Sequence, residues 1–178
     1  MAEVLPLSKS ELRLLESLVR HRVRFMVVGL SAAALQGAPV VTQDVDLWFA
    51  DLHDPKLGAA LRAVGAAYIP PFGLHNPPML GGPGSEPFDV VLTMSGLGGF
   101  DDEMKHAREI RVGPLRLKVL ALERILASKL AANRPKDRLV IPVLRNALRT
   151  LRLKEHRRAV VRVTASRKRK SPRASSPR

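Results

Sequence analysis

The sequence predicts a mixed α/β (α+β) domain: a small mixed β-sheet flanked by helices, with a helical C-terminal part. Three observations predict it. Short apolar runs at residues 23–28, 44–49 and 88–94 have strand length and alternate with segments of helical periodicity. Two further strand-like runs, 107–112 and 115–119, flank Gly113-Pro114 as a hairpin would. The strongest helical pattern, 121–133, comes late and is followed by another. Strands interleaved first with helices and then followed by them indicate a mixed sheet with a helical end.

Taken in order, residues 8–22 read as a helix. Ser8 or Ser10 suits the cap, Glu11 suits the first turn, and Leu12, Leu15 and Val19 share one stripe. Residues 23–28 form a strand apolar on both faces, and so a central one, which Gly29 ends. Residues 31–36 make a short alanine-built helix whose first N–H groups point back at the glycine turn, where an anion fits. Residues 44–49 are the second strand. Asp54 caps and Pro55 starts a helix over 55–64, closed by Gly65. Ala67–Ile69 is a short strand.

Residues 70–87, PPFGLHNPPMLGGPGSEP, read as one long loop of the functional or mobile kind, with Gly81 to Gly84 a lid or a plain turn. The third strand, 88–94, follows, then a turn at 95–99 and a helical turn within 100–106. In the helix at 121–133, Leu122, Ile125, Leu126, Lys129 and Leu130 recur at helical spacing. Arg134-Pro135 breaks it. A last helix runs from Pro135 to about Leu153, kinked or interrupted at Pro142. The folded domain is expected to span 1–153, with 154–178 a basic, disordered tail.

The chain of 178 residues suits one domain rather than two. It has no cysteine, which excludes disulfides and thiolate zinc sites. The first residues lack the charge-then-apolar order of a signal peptide, and no apolar run reaches transmembrane length. A cytoplasmic protein with no membrane partner is expected. The net charge is +14, but residues 154–178 hold ten Lys or Arg against one Glu, so +9 sits in the tail and +5 in the body. An argument for nucleic-acid binding from charge alone therefore describes the tail.

The chemistry-bearing residues centre on Asp44 and Asp46. Two apart on a strand, they leave the same face, with Cα atoms about 6.5 Å apart. Such carboxylates repel unless a cation lies between them, and Mg2+ accepts oxygen ligands while keeping positions for water and phosphate. A third carboxylate on a neighbouring strand completes a site for one or two metals. Asp89 is the first choice, with Glu86, Asp101 and Asp102 as alternatives. The plain alternative makes Asp44 a turn residue and Asp46 a solvated strand residue. Asp is depleted in strands, so three in this arrangement want a reason. Trp48 falls on the Asp46 side and suits either a base pocket or packing against a helix. The histidines at 21, 53, 75, 106 and 156 show no ligand spacing; His75 stands out only by lying in the long loop.

Gly29, Ser31, Gly37, Thr42, Asp44 and Asp46 together resemble the core motif of the nucleotidyltransferase superfamily related to DNA polymerase β. The closer resemblance is to a bacterial branch that includes abortive-infection toxins and minimal nucleotidyltransferases. Ser128-Lys129 and Lys136-Asp137 match the Ser-Lys and Lys-Asp pairs seen later in such proteins. The resemblance spans residues 24–146 and implies a nucleotidyltransferase-type sheet. It implies transfer of a nucleoside monophosphate from a nucleoside triphosphate (NTP), with Asp44, Asp46 and Asp89 as ligands of Mg2+ or Mn2+ and Asp89 helping to activate the attacking hydroxyl. Gly29, Ser31, Thr42, Lys129, Lys136 and Asp137 would serve the triphosphate. The implied acceptor is an RNA end, such as that of tRNA, or a protein hydroxyl, in a toxin–antitoxin or phage-defence setting with a partner protein. The chain departs from the pattern at Leu30, where a second small residue is usual, and at Val40-Val41, where relatives carry an Arg. Those departures favour a second reading, an inactive binding or regulatory protein of the same fold, and the basic tail offers a third, an RNA-binding protein acting through that tail.

Overall fold

The computed structural model describes residues 7–73 and 76–169, with the backbone alone for 158–169. Six helices and seven strands follow one another in it: α1 Lys9–Arg20, β1 Phe25–Val28, α2 Gly29–Leu35, β2 Val45–Phe49, α3 Pro55–Arg62, β3 Ala67–Ile69, β4 Met79–Gly81, β5 Phe88–Val91, α4 Phe100–Met104, β6 Ala107–Val112, β7 Leu115–Leu120, α5 Leu122–Ala132 and α6 Pro135–Arg169. The strands make one sheet in the order β3-β4-β5-β2-β1-β7-β6. The mixed α+β class expected from the sequence is the one found.

The central strand β1 is buried along its whole length, as an apolar run in the middle of a sheet should be. It pairs antiparallel with β2 and parallel with β7. Beyond β2 lies β5, parallel, with Asp46 opposite Asp89. The hairpin β6–β7 turns at Gly113, and Leu115, Leu117 and Val119 of β7 face the core while Arg116 and Lys118 face out. Ser8 caps α1 in a reciprocal box: its hydroxyl accepts from the Glu11 N–H, and the Glu11 carboxylate accepts from the Ser8 N–H at 2.7 Å. The Ser17 hydroxyl, buried, donates to the Ala60 carbonyl at 2.7 Å and ties α1 to α3. Asp54 caps α3, with Pro55 in its first turn.

The long loop at 70–87 is broken by a strand. Met79–Gly81 hydrogen-bonds β3 on one side and β5 on the other. Its glycines do not form a lid. A Cβ at Gly84 would stand 2.6 Å from the Ser10 carbonyl carbon, and one at Gly82 would stand 2.6 Å from the Gly65 oxygen. This turn is clamped between α1 and the end of α3. His75 lies outside the described residues.

The strand β5 ends at Val91 rather than Met94. The last helix runs on without a break at Pro142 and well past Leu153, to Arg169. Between Val143 and Arg169 it contains no Pro or Gly, and Leu, Arg, Lys and Ala are strong helix formers. Glu155 further pins it to β6 through Arg108 at 2.7 Å. The expected tail is thus helical as far as described, and residues 170–178 lie outside the described ones. Among the described residues no helix is long and apolar enough to cross a membrane.

Candidate functional site

Gly29 is where the site begins. It leaves β1 with φ +64 and starts α2 at once, a backbone that favours glycine. A side chain there is excluded twice over, because its Cβ would overlap the Asp46 carboxylate. That carboxylate therefore lies directly over the Gly29 backbone. Ser31 fixes the arrangement from beneath. Fully buried, it donates from Oγ to the Val28 carbonyl at 2.9 Å and accepts from the Asp46 N–H at 3.3 Å. Ser31 thus positions Asp46 and does not itself reach the cavity described next.

A cavity of about 510 Å³ opens over the ends of β1, β2 and β5. Asp44, Asp46 and Asp89 line one side, with Gly29, Leu30 and Thr42. Asp44 is exposed just ahead of β2, and Thr42 shapes that approach by donating from its hydroxyl to the Asp44 carbonyl at 3.0 Å. Asp46 and Asp89 stand side by side because β2 and β5 pair in register. Burial first, then the Asp89 carboxylate, pushes the Asp46 pKa up to about 6; Asp44 adds to the rise, while Lys129 and Lys136 oppose it. Of the alternatives for a third carboxylate, Asp101 pairs with Arg24 and Asp102 with Lys105, and neither they nor Glu86 line this cavity.

Cations face the aspartates. Ser128 and Lys129 come from α5, and Arg134, Lys136 and Asp137 from the corner into α6. Asn133 makes that corner possible by taking the left-handed conformation at φ 47, which Asn tolerates better than most residues. Asp137, only 1% exposed, accepts from Arg134 Nε at 2.7 Å and lies 3.1 Å from Lys129 Nζ. The Arg134 hydrogen bond, with help from Lys129, holds its carboxyl well below the usual carboxylate range despite burial. Asp137 has its oxygens engaged in this way, so it aims two cations at the cavity.

Of the residues singled out from the sequence, the structure brings Asp44, Asp46, Asp89, Gly29, Thr42, Lys129, Lys136 and Asp137 to one cavity, and Ser31 lies just beneath it. Sequence reasoning missed Arg134, read only as a helix breaker, and the hydroxyls of Thr93, Ser95 and Ser128, of which Ser128 was noted only in its pair with Lys129. Arg134 and Lys136 on either side of a helix-starting Pro were the available signal. Trp48 is not part of the cavity. It is 4% exposed and meets Phe100 edge-on at 5.9 Å, so it packs under α4.

The donor set fits a hard divalent cation: three carboxylates on one side, of which Asp46 is pushed toward protonation by burial and by its acidic neighbours, a strain that a cation relieves. Among the described residues, no three His, Cys, Asp or Glu side chains are already gathered into a ligating cluster.

No family model matches the sequence, and no curated protein matches it. Among the solved structures that share the fold are two of the aminoglycoside nucleotidyltransferase ANT(2'')-Ia. One is its crystal structure in complex with adenylyl-2''-tobramycin: TM-score 0.53 and 14% identity over 83% of this chain and 95% of that one. The other is its solution structure, described as that of an antibiotic-resistance factor with substrate-regulated conformational dynamics: TM-score 0.52 and 13% identity over 87% and 94%.

Proposed function

We propose that this chain is a metal-dependent nucleotidyltransferase that moves a nucleoside monophosphate from an NTP to an acceptor hydroxyl. The observation that carries the reading is the in-register pairing of Asp46 with Asp89, beside Asp44 and across one cavity from Lys129, Arg134 and Lys136. Carboxylates alone suit a cation and cations alone suit a phosphate; the two facing each other suit a metal-bound triphosphate.

In this reading Asp44, Asp46 and Asp89 hold Mg2+ or Mn2+, which supplies charge compensation on the phosphates when bound. Lys129, Arg134 and Lys136 take the triphosphate oxygens, and the Gly29 backbone lets the chain approach them closely. Asp89 accepts the proton of the acceptor hydroxyl. The hydroxyl oxygen then bonds to the α-phosphorus, the bond from the α-phosphorus to the α–β bridging oxygen breaks, and pyrophosphate leaves with that oxygen. Positioning and electrostatics carry the rate, since no covalent enzyme intermediate is needed.

The acceptor is an RNA end or a protein hydroxyl. An amino-sugar acceptor of the kind bound by the structural neighbour carries several ammonium groups. The cavity lining itself, four aspartates against three cations, does not decide against such a polycation, but the exposed arginines along α6 beside it disfavour one. A toxin or phage-defence role stays with the sequence resemblance alone.

The test is label transfer from each of the four α-labelled NTPs in lysate with Mg2+. The wild type labels an RNA or protein band, and Asp46→Asn labels none. The same nucleotide with Mg2+ raises the melting temperature of the wild type only. Absence of both label and thermal shift with every NTP would sink the proposal.

A further inference from the structure

The helix α6 starts at the cavity and carries an uncompensated row of arginines away from it. Arg138, Arg145, Arg149 and Arg152 follow one another at intervals of seven, four and three residues, which keeps them along one edge of a helix. All four are exposed. With Arg134 at the cavity itself, the row covers eighteen residues of helix, or about 27 Å.

No Asp or Glu occurs between Asp137 and Glu155, and Glu155 is committed to Arg108. Arg145, Arg149 and Arg152 join no ion pair among the described residues, while the apolar residues Ile141, Leu144 and Leu148 turn inward to the core. The packing of α6 therefore does not explain the row. Arginines used for stability are found paired, and a stretch of helix that carries five cations and no acid, counting Lys154, repels itself.

We infer that this arginine edge is the track on which a single-stranded nucleic-acid acceptor lies, its terminal hydroxyl delivered to the cavity. The inference rests on the nucleotidyl-transfer reading for the meaning of that terminus, but the binding itself is independent of it. The chemistry favours a phosphate backbone over an acidic protein partner. Arginine's planar fork matches phosphate oxygens. The cations form a line rather than a patch, and the large apolar side chains exposed on this helix, Leu139 and Leu153, stand fourteen residues apart instead of forming the apolar centre that protein interfaces need. The row is also distinct in sequence from the basic segment beyond Lys154.

The experiment measures binding of a short fluorescein-labelled single-stranded RNA to the full-length chain by anisotropy over a range of salt. Three proteins are compared: wild type, Arg145→Gln/Arg149→Gln/Arg152→Gln, and the charge-matched Arg167→Gln/Lys168→Gln/Arg169→Gln. The row variant is expected to bind at least about tenfold more weakly and to lose about two units of the log–log salt slope, the value for three released phosphate contacts on a single strand. The charge-matched variant is expected to lose clearly less.

Gln keeps the helix, so circular dichroism and an unchanged melting shift with NTP and Mg2+ confirm the fold and the cavity of the row variant. Equal losses in the two variants would reduce the row to net charge and overturn the inference. So would RNA binding by the row variant at wild-type strength. No RNA binding by the wild type, with arginine-dependent binding of polyglutamate instead, would overturn it in favour of an acidic protein partner. A wild type that binds RNA through the row but shows no NTP shift would leave the inference standing and remove the nucleotidyl-transfer reading.

Discussion

At the scale of single residues, the site depends on how little space Gly29 leaves. Its left-handed backbone and the Asp46 carboxylate above it both exclude a side chain. Gly29→Ala is expected to cost about 1–3 kcal/mol in urea unfolding and to abolish the NTP-induced melting shift, because Asp46 must move. A variant that keeps the shift would show that the carboxylate position is not critical. Asp137 acts at one remove. Asp137→Asn frees Lys129 and Arg134 to swing, so NTP affinity is expected to fall about tenfold, a coupling of the 1.4 kcal/mol size seen between residues in one network. Because part of the effect runs through Lys129, Asp137→Asn added to Lys129→Met should cost less than it does in the wild type, the remainder being the part that runs through Arg134. Additive losses in that double-mutant cycle would separate the two residues. The aspartates and lysines of the site were legible from the chain because their types and the strand periodicity announce them. Ser31 was legible only as a motif position. Its burial under Asp46 arises from β2 lying over α2, a tertiary fact that no local pattern carries.

At the scale of elements, the strands that sequence reading found are those with apolar side chains to count. The strand β4 was missed because Met79, Leu80 and Gly81 are three residues among prolines and glycines, and what makes them a strand is hydrogen bonding to β3 and β5 on both edges. The helix α6 was cut short for the opposite reason. Its polar, basic second half has no periodic apolar stripe to follow, yet it has helix propensity throughout and no breaker after Pro142. Pro142 itself leaves the Arg138 carbonyl without its helical N–H partner. Exposed at the surface of a helix that continues through it, Pro142 offers a clean substitution. Pro142→Ala is expected to raise stability by about 1–3 kcal/mol, read as a higher melting temperature with unchanged NTP binding. A neutral or lower melting temperature would mean that packing at that turn depends on the proline ring.

At the scale of the whole molecule, two sets of carboxylates pull stability in opposite directions with pH. Glu103, 2% exposed on α4, takes two hydrogen bonds from Arg124 of α5, at 2.7 and 2.6 Å, and one from the Gly98 N–H at 3.0 Å. Its pKa is lowered from the ordinary 4.5, chiefly by Arg124, and that of Asp137 is lowered from 3.8 by Arg134 and Lys129. In the unfolded chain these groups hold protons at higher pH than in the folded one. Their stabilisation is therefore complete above about pH 4.5 and is lost as pH falls toward the folded values. Asp46 behaves the other way. Raised from 3.8 to about 6, it keeps its proton in the folded state after the unfolded chain has released it. Stability therefore declines as pH rises through that window, and above it the full cost, on the order of 1–3 kcal/mol, is present. Together these place the stability maximum of the free protein near pH 4 to 5, below the usual optimum. Asp46→Asn removes the declining limb. At pH 7 to 8 it is expected to melt higher than wild type while losing label transfer altogether, and below pH 4 the two should converge. Thermal unfolding at intervals from pH 3 to 8 without divalent cation tests this. A wild-type curve that is flat from pH 4 to 6, or an Asn variant no more stable at pH 7, would show that the carboxylates are not crowded as the cavity places them. Adding Mg2+ with NTP should restore stability to the wild type alone, because the charge that Asp46 pays to keep buried is the charge the metal-bound triphosphate meets.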